Sequence, residues 1–522
     1  MSTTHDHPHD FTDLQRQLPE LWNRIREYPS SAHSCVIVPS LSFDQEELAK
    51  VPGVPFYEER LLCFVMRLRR PGARTMYVTS QPVDPDVVNY YLNMMAGVPA
   101  SHALRRLTML SVCDATPRPL TEKILERPRV IARIRDWIGD TRNAYMTCFN
   151  STPLERDLAV QLGIPLNATD PELATYGTKS GCRQLFREAG VEFARGMENL
   201  RSESQVVDAL DDLSRKDPAL SRAVVKLDGG FSGEGNAVFS FPNPLPDDAA
   251  ARRTAIAGAL DSMRFASEDI HRTSFLRKLA NMGGVVEEFL EAPEVRSPSV
   301  QLSITPAREL TVVSTHDQVL GGPSGQVYLG CRFPAAADYR QQIVDRAVKI
   351  GRLLADKGVI GRFSVDFLAR RTQLEPWHCG AIEVNLRMTG TTFPFVALQF
   401  LTAGSVDSAG DFRSPRGVAK YYFATDTLAG PAYRGLLPQD FLDIVIDHGL
   451  HFRPSTETGV LFHMIGALSQ YGKLGVTCVG DSTEEAQELY ERTRAVMDLE
   501  TGAAKGERGR MTSLFDDLPP MD

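Results

Sequence analysis

Two neighbouring predicted strands carry polar side chains in a pattern that limits the folds open to this chain. Asp366 lies in the first, residues 364–367, and the second reads AIEVNLRM, in which Glu383, Asn385 and Arg387 alternate with apolar residues. Because the side chains of a strand alternate between its faces, these polar groups share one face, which Asp366 can join from the neighbouring strand. Such oxygen ligands suit Mg²⁺, which binds few protein groups and completes its shell with phosphate and water. The alternative is the solvated face of an antiparallel sheet.

A lysine on an apolar strand leads directly into a glycine-rich loop. Residues 224–236 read VVKLDGGFSGEGN, with Lys226 in the strand and four glycines after it. The backbone N–H groups of such a loop can approach phosphate oxygens, and the lysine supplies a compact positive charge to the same oxygens. The loop lacks the GKS or GKT of a Walker A sequence. It indicates phosphate binding of another kind, with a flexible hairpin as the alternative.

A second lysine stands at a predicted helix start. Lys179 lies in the sequence GTKS, just before a helical pattern. A lysine at this end of a helix complements no dipole, so an anion bound there would explain it. An ordinary surface lysine is the alternative.

Residues 285–294 read VVEEFLEAPE, an apolar strand that turns acidic. An extended hinge of this kind can offer backbone C=O and N–H groups to an adenine edge, and a carboxylate further on can accept from ribose hydroxyls. A solvated edge strand is the alternative.

In their order along the chain these four features resemble the ATP-grasp superfamily over residues 171–405. More narrowly, the chain is similar to the ATP-grasp peptide ligases related to the pheganomycin ligase, which join a nonproteinogenic amino-acid carboxylate to a peptide amine. The narrower resemblance extends beyond the core, through YEERLL from Tyr57, YVTS from Tyr77, FHM from Phe462 and GKLG from Gly472, and includes GTKSG within it.

The resemblance implies a role for each of these residues. The implied ATP-binding residues are Lys179, Lys226, Gly229, Gly230, Ser232, Gly233, Gly235, Glu287, Glu288, Phe289, Leu290 and Glu294, the last on the ribose. The implied metal ligands are Asp366, Glu383 and Asn385, the implied catalytic residues are Arg387 and Lys226, and the implied substrate residues are Arg387, Gly390, Thr391 and Thr392. One departure is Phe393, where a histidine is expected in many relatives, so the resemblance does not identify the substrate.

The implied activity is an ATP-dependent, carboxylate–amine (peptide) ligase that forms an amide bond through an acyl phosphate and releases ADP and phosphate. The implied cofactors are ATP and Mg²⁺, and the implied partners are a small-molecule carboxylate and an amine, either an amino acid or a peptide. Two alternatives stay open: an ATP-grasp enzyme with another acceptor, such as a thiol ligase or phosphotransferase, and a non-catalytic nucleotide-binding regulatory protein. The oligomeric state is open, with a homodimer as one option.

The predicted fold class is α/β, with α+β parts: an ATP-grasp fold with an N-terminal pre-ATP-grasp α/β domain and a small C-terminal α+β unit. Apolar runs at residues 35–38, 74–78 and 144–148 alternate with helical patterns and predict a parallel sheet. The predicted divisions are a leader and amphipathic helix over 1–30, the N-terminal domain over 31–170, the ATP-grasp domain over 171–410, the C-terminal unit over 411–500 and a mobile tail over 501–522.

Charge and composition exclude other classes of partner. The net charge of −9 gives no basic surface for a nucleic-acid backbone. No apolar run approaches the roughly 18 residues that span a bilayer, and the start of the chain does not resemble a signal peptide. The eight cysteines form no CxxC pair. We therefore expect a cytoplasmic protein with reduced thiols that binds neither nucleic acid nor membrane.

Overall fold

The computed structural model describes residues 10–43, 45–48, 51–95, 97–229, 235–265, 270–321, 327–373, 375–407 and 410–502. The first nine residues of the predicted leader and residues 503–522 of the predicted tail lie outside these ranges. No helix in the described part is long and apolar enough to cross a membrane.

The first sheet is parallel and buried on both faces. Its strands within the described residues are β1 (His33–Val38), β2 (Ala73–Thr79), β3 (Leu107–Ser111) and β4 (Ala144–Cys148), in the order β3-β2-β1-β4. Val36 and Val38 of β1 belong to one apolar core, while Cys35 and Ile37 belong to another. This two-sided burial explains why β1 reads as a continuous apolar run rather than an alternating one.

Helices cover both faces of this sheet. They are α1 (Phe11–Gln15), α2 (Leu18–Glu27), α3 (Gln45–Leu48), α4 (Pro85–Asn93), α5 (Ala100–Leu104), α6 (Leu120–Leu125), α7 (Pro128–Ile138) and α8 (Pro153–Leu162), with 3₁₀ helices at Val54–Arg69, Thr141–Asn143 and Pro171–Gly177. Thr152 and Glu155 form a capping box at the start of α8, and Gly163 ends the helix with a φ of 69°. The sequence around α8 therefore carries its own start and stop signals.

The second sheet is antiparallel. It contains β5 (Gly196–Leu200), β6 (Arg222–Leu227), β7 (Asn236–Ser240), β8 (Arg264–Phe265) and β9 (Gly284–Glu288), and its order over the described residues is β5-β9-β6-β7-β8. The accompanying helices are α9 (Lys179–Glu188), α10 (Glu203–Lys216), α11 (Ala249–Ala259) and α12 (Arg272–Met282), with a 3₁₀ turn at Leu260–Ser262. Strand β9 lies between β5 and β6, so the alternative of an edge strand for the acidic hinge does not hold.

The third sheet is the largest. Its strands begin with β10 (Glu294–Arg296), β11 (Pro298–Ile304), β12 (Leu310–Gly321), β13 (Val327–Phe333), β14 (Gly361–Arg371) and β15 (His378–Asn385). After a small pair formed by β16 (Ser405–Val406) and β17 (Phe412–Arg413), the chain returns as β18 (Tyr421–Ala429), β19 (Gly459–His463) and β20 (Lys473–Gly480). The associated helices are α13 (Ala337–Asp356), α14 (Thr392–Thr402), α15 (Pro438–Asp447), α16 (Ala467–Tyr471) and α17 (Thr483–Glu500), with a 3₁₀ turn at Pro431–Tyr433.

The strand order of this sheet connects the middle of the chain to its C-terminal part. In the described residues the order is β10-β14-β11-β12-β13-β18-β20-β19. Strands β10 and β11 pair with successive parts of one edge of β14, and β15 pairs with its opposite edge. Strand β18 pairs with β13 at Cys331 and Ala424, so the strands that follow residue 411 continue the sheet of the central region. The predicted α/β class with α+β parts is confirmed. The five domain limits stay a prediction, because a shared sheet does not mark them.

The core of the large sheet makes a stability test possible. Leu302 on β11 is fully buried in a cluster with Ile350 and Phe363, whereas Leu499 on α17 is exposed. We expect Leu302→Ala to lower the free energy of unfolding by about 2–5 kcal/mol, because it removes buried methyl groups and leaves a cavity. Urea denaturation followed by circular dichroism measures this. The matched control Leu499→Ala should change stability by less than about 0.5 kcal/mol, and equal losses in both variants would contradict the assigned core.

Candidate active site

Asp366 and Glu383 oppose each other across the antiparallel pair β14 and β15. The register pairs Asp366 with Glu383 and Ser364 with Asn385. Asn385 Nδ2 donates to Asp366 Oδ2 over 3.0 Å, and the Arg387 guanidinium donates to the side-chain oxygen Oδ1 of Asn385. The structure therefore brings together the four polar residues that the strand pattern singled out.

Burial and neighbouring charges act differently on the two carboxyl groups. Burial and the adjacent charge of Glu383 raise the pKa of Asp366. Burial alone would raise the pKa of Glu383 as well, but Lys179, whose Nζ lies 2.6 Å from Glu383 Oε1, and then Arg387 outweigh it and lower that pKa. Two carboxylates this close repel each other unless positive charge is supplied, and a cation between them would favour the ionised form of both.

The donor set agrees with magnesium. Among the described residues no cluster of three or more His, Cys, Asp or Glu side chains could hold a metal ion. Asp366 and Glu383 supply two carboxylates and Asn385 an amide oxygen, which is too few for a closed protein cage. That number is suitable for Mg²⁺, which takes one or two carboxylates and fills its other positions with substrate phosphates and water. The residues present thus fit a metal that is bound together with a nucleotide.

Lys179 begins helix α9, next to the loop that follows β6. Thr178 caps the helix by accepting from Gly181 N. Ser180 N donates to Asp228 Oδ1 over 2.7 Å, so the first residue after β6 holds the start of α9 in place. Asp228 was not among the predicted site residues, although its position directly after the strand that carries Lys226 was a usable signal.

Glu287 joins two cations in the second sheet. Its Oε2 lies 2.6 Å from Lys226 Nζ on the neighbouring strand, and its Oε1 lies 2.6 Å from Arg183 Nη1 on α9. Burial acts to raise the pKa of Glu287, but the charges of Lys226 and Arg183 outweigh it and lower the pKa. Glu287 is therefore an ionised carboxylate that fixes the ammonium of Lys226.

The remaining hinge residues make their own ion pairs. Glu288 Oε2 lies 2.7 Å from Arg195 Nε, and Glu294 Oε2 lies 2.9 Å from Arg371 Nη2. Phe289 N–H is also engaged, because it donates to the Arg222 carbonyl oxygen over 3.2 Å. An adenine edge would therefore have to use other backbone groups of the segment after β9. Of the other predicted phosphate residues, Gly229 and Gly235 flank the loop, whereas Gly230, Ser232 and Gly233 lie outside the described residues.

A cavity of about 390 Å³ opens beside the carboxylate pair. Its wall includes Asp366, Glu383, Asn385 and Arg387, and also Gly390 and Thr391 from the predicted substrate residues. Glu383 connects the cavity to the nucleotide side, because it lines the cavity and also accepts from Lys179. Thr392 is not on this wall: it is buried, and its Oγ1 accepts from Thr389 N and holds the turn before α14.

Residues from other parts of the chain complete the wall. They include four charged or phenolic side chains that had no predicted role: Tyr57, Arg60, Asp426 and Lys473. Arg60 Nη1 lies 3.2 Å from Asp426 Oδ2, and Lys473 Nζ donates to the Tyr57 hydroxyl over 2.6 Å. The usable signal for Tyr57, Arg60 and Lys473 was their presence in the YEERLL and GKLG segments, whereas Asp426 lies in neither.

Phe393 lies behind this wall rather than on it. It is buried, and its ring centroid lies 4.3 Å from that of His463, whose Nε2 is 2.8 Å from Asp426 Oδ1. Burial lowers the pKa of His463. Phe393 therefore affects the cavity through His463 and Asp426, not by direct contact with its contents.

Comparisons with known proteins show what this chain is similar to. Two family models match: the IQCH-like ATP-grasp family over residues 171–246 and 264–409, and the PGM1 C-terminal domain over residues 440–493. The chain is 33% identical over 471 residues to the L-propargylglycine–L-glutamate ligase of Streptantibioticus cattleyicolor, covering 88% of this chain and 93% of that protein.

Two further relatives are more distant. IQ motif-containing protein H of Danio rerio is 25% identical over 411 residues, which cover 70% of this chain and 38% of that protein. A solved biotin carboxylase–β,γ-ATP complex from Campylobacter jejuni has a TM-score of 0.54 and 12% identity, and the match covers 91% of this chain and 96% of that one. The latter likeness shows the ATP-grasp fold. With the first relative's identity and coverage, the chain belongs to the ATP-grasp carboxylate–amine ligases of the pheganomycin type.

Proposed function

We propose that this protein uses ATP to join the carboxylate of one small acid to the amine of an amino acid or peptide, with the residues described above as its active site. The observation that supports this most is the position of Arg387. Its guanidinium lines the cavity beside the carboxylate pair, and no Asp or Glu oxygen of the described residues lies within 4.0 Å of it. A half-buried cation that no carboxylate of the described residues contacts directly, next to the proposed magnesium ligands, is suited to an incoming carboxylate.

The charges of the reaction explain the arrangement. A carboxylate that attacks the γ-phosphate of ATP brings two anions together, so cations must neutralise the transition state. Arg387 binds the carboxylate, and Lys226 and Lys179 bind the phosphates after exchanging their partners Glu287 and Glu383. Mg²⁺, when held by Asp366, Glu383 and Asn385, would neutralise phosphate charge at the same place. Arg183 keeps Glu287 paired when Lys226 turns to the nucleotide.

The second half of the reaction needs a protected cavity. The acyl phosphate is attacked by an amine, and water must be kept out or the intermediate hydrolyses. The apolar residues Leu41, Val54, Leu320 and Met388 line the cavity and disfavour bulk water there. No protein nucleophile is required, because the substrate amine itself displaces the phosphate.

Replacing Lys226 tests the phosphate role. We expect Lys226→Ala to lower turnover about a hundredfold or more, corresponding to roughly 3 kcal/mol of lost transition-state stabilisation. Folding should persist because Arg183 still neutralises Glu287. ADP release measures turnover, and circular dichroism checks the fold. The control Lys216→Ala, on the exposed face of α10, should retain parental activity; a Lys226→Ala variant within twofold of the parent would refute the role.

Replacing the carboxylates tests the metal site. Asp366→Asn and Glu383→Gln should each raise the Mg²⁺ concentration for half-maximal turnover about tenfold or more, because each removes one charge and weakens one ligand. A magnesium titration of ADP release at saturating ATP measures this. Glu309→Gln, at an exposed carboxylate paired with Arg26, is the control. Unchanged half-saturation in both site variants would mean that this face of the sheet binds no metal.

The products distinguish the proposed reaction from its rivals. With an accepted acid, we expect ADP and phosphate rather than AMP and pyrophosphate, because the carboxylate attacks the γ-phosphorus. One ¹⁸O of a labelled carboxylate should appear in the released phosphate, and hydroxylamine should trap the acyl phosphate as a hydroxamate. Mass spectrometry and phosphorus NMR measure these outcomes. AMP as product would rule out the mechanism, and ADP with all label retained in the acid would indicate another phosphoryl acceptor.

A further inference from the structure

The cavity wall contains a second cation with no carboxylate partner. Lys473 begins β20, and its Nζ donates to the Tyr57 hydroxyl, but no Asp or Glu oxygen in the described part of the chain lies within 4.0 Å of it. The ion pairs of Lys179 and Lys226 show that other lysines near the site are neutralised within the protein. A half-buried ammonium that faces a cavity with only a phenol as partner is suited to an anion that enters the cavity.

The position of Lys473 is fixed by the backbone before it. Gly472 has a φ of 60°, and a Cβ there would lie 2.4 Å from the carbonyl oxygen of Gly430. Only glycine fits this close approach in the left-handed region. Tyr57 then holds the ammonium from the other side, with Lys473 Nζ 4.9 Å from its ring centroid. The ammonium is therefore held at the cavity wall by the fold.

The described wall of the cavity carries three cations: Arg60, Arg387 and Lys473. Arg60 makes an ion pair with Asp426, which also contacts His463. The charges of Glu383 and Asp426 act on Arg387 and Lys473 respectively, but among the described residues no carboxylate oxygen lies within 4.0 Å of either cation. These two cations therefore suit two separate anionic groups that enter the cavity.

We propose that Lys473 binds the α-carboxylate of the amine substrate, so that the amine substrate is a single α-amino acid. This inference rests on the proposed function, in which Arg387 takes the reacting carboxylate. An amino acid that reacts through its amine keeps its own carboxylate, which is a spectator and needs a cation of its own. The cavity volume of about 390 Å³ lies near the lower end of the roughly 300–1,000 Å³ of small-molecule sites. It is therefore better matched to a single amino acid than to a peptide.

The apolar part of the wall agrees with this orientation. Leu48, Val51, Val54 and Leu329 line the same cavity as Lys473. With the α-carboxylate on Lys473 and the amine directed towards the acyl group at Arg387, the side chain of the amino acid is left to contact these residues. An apolar side chain is therefore expected to be preferred over a charged one.

The experiment uses the full chain and begins with the parent enzyme. Hydroxylamine, ATP and Mg²⁺ with a pool of carboxylic acids and amino acids identify an accepted acid as its hydroxamate. The twenty proteinogenic α-amino acids are then supplied singly as amines, and the best one is compared with its α-carboxamide. We expect the parent to prefer the free acid over the carboxamide at least tenfold in kcat/KM, because a neutral amide forms a weaker bond with an ammonium.

Variants then test whether Lys473 is the residue that causes the preference for the free acid over the carboxamide. Lys473→Met keeps the apolar stem but removes the charge, and should reduce the preference to less than about twofold while raising KM for the amine about tenfold. KM for ATP should change less than twofold. Lys473→Arg should retain most of the preference, and Tyr57→Phe should weaken it severalfold through loss of the hydrogen bond to Lys473. Lys357→Met, at a lysine paired with Glu188, is the matched control and should behave as the parent.

The failure of each proposal has its own signature. A parent enzyme that forms no hydroxamate contradicts the proposed ligase function itself. Hydroxamate formation together with equal use of free acid and carboxamide by the parent would overturn the role of Lys473, and this result needs no variant to fold. The role is also overturned if Lys473→Met keeps the parental preference, or if its KM for ATP rises as much as its KM for the amine, which would make Lys473 a phosphate ligand.

Discussion

The opposition of Asp366 and Glu383 across β14 and β15 is the constraint on which the rest of the site depends. Two carboxylates paired in register on a partly buried sheet face repel each other, and they persist only if cations are placed around them. Lys179 approaches Glu383 from helix α9, and Arg387 follows two residues after the end of β15. The anionic pair thereby determines where the cations Lys179 and Arg387 lie. An ATP phosphate and a substrate carboxylate would bind at those cations.

The same pairing of carboxylates with cations joins the two sheets of the ATP-grasp core. Lys179 of helix α9 pairs with Glu383 in the large sheet, and Arg183 of the same helix pairs with Glu287 in the five-stranded sheet. Breaking a buried pair of this kind by removing one partner is costly, about 3–5 kcal/mol, because the other charge is left unpaired. Glu287 has two cationic partners, so it stays neutralised if Lys226 moves to a phosphate. This redundancy lets a functional lysine change partners without leaving a buried charge alone.

The sequence was sufficient to predict the local features but not the contacts between distant segments. Alternation along β15 placed Glu383 and Asn385 on one face, and the apolar runs at 35–38, 74–78 and 144–148 located β1, β2 and β4, because both signals depend on residues a few positions apart. Strand β3 was not predicted, because Leu107–Ser111 is short and its own sequence pattern does not indicate a strand. Its pairing with β2 stabilises the strand instead. The hydrogen bond between Tyr57 and Lys473 joins residues 416 positions apart and exists only once the large sheet has formed.

This separation of local and distant contributions has a chemical consequence. The groups proposed to act on ATP come from the central region, where Lys226, Glu287 and Glu383 are held by two adjoining sheets. The groups that face the rest of the cavity come from the 3₁₀ helix at Val54–Arg69 and from β18 and β20. Substitutions in those outer elements alter the cavity's charges without disturbing the nucleotide lysines or the carboxylate pair. Phe393 acts at this boundary, because it packs on His463 and so influences Asp426 from behind the wall. In such an architecture the phosphate chemistry can stay constant while the choice of acid and amine is set by elements from the two ends of the chain.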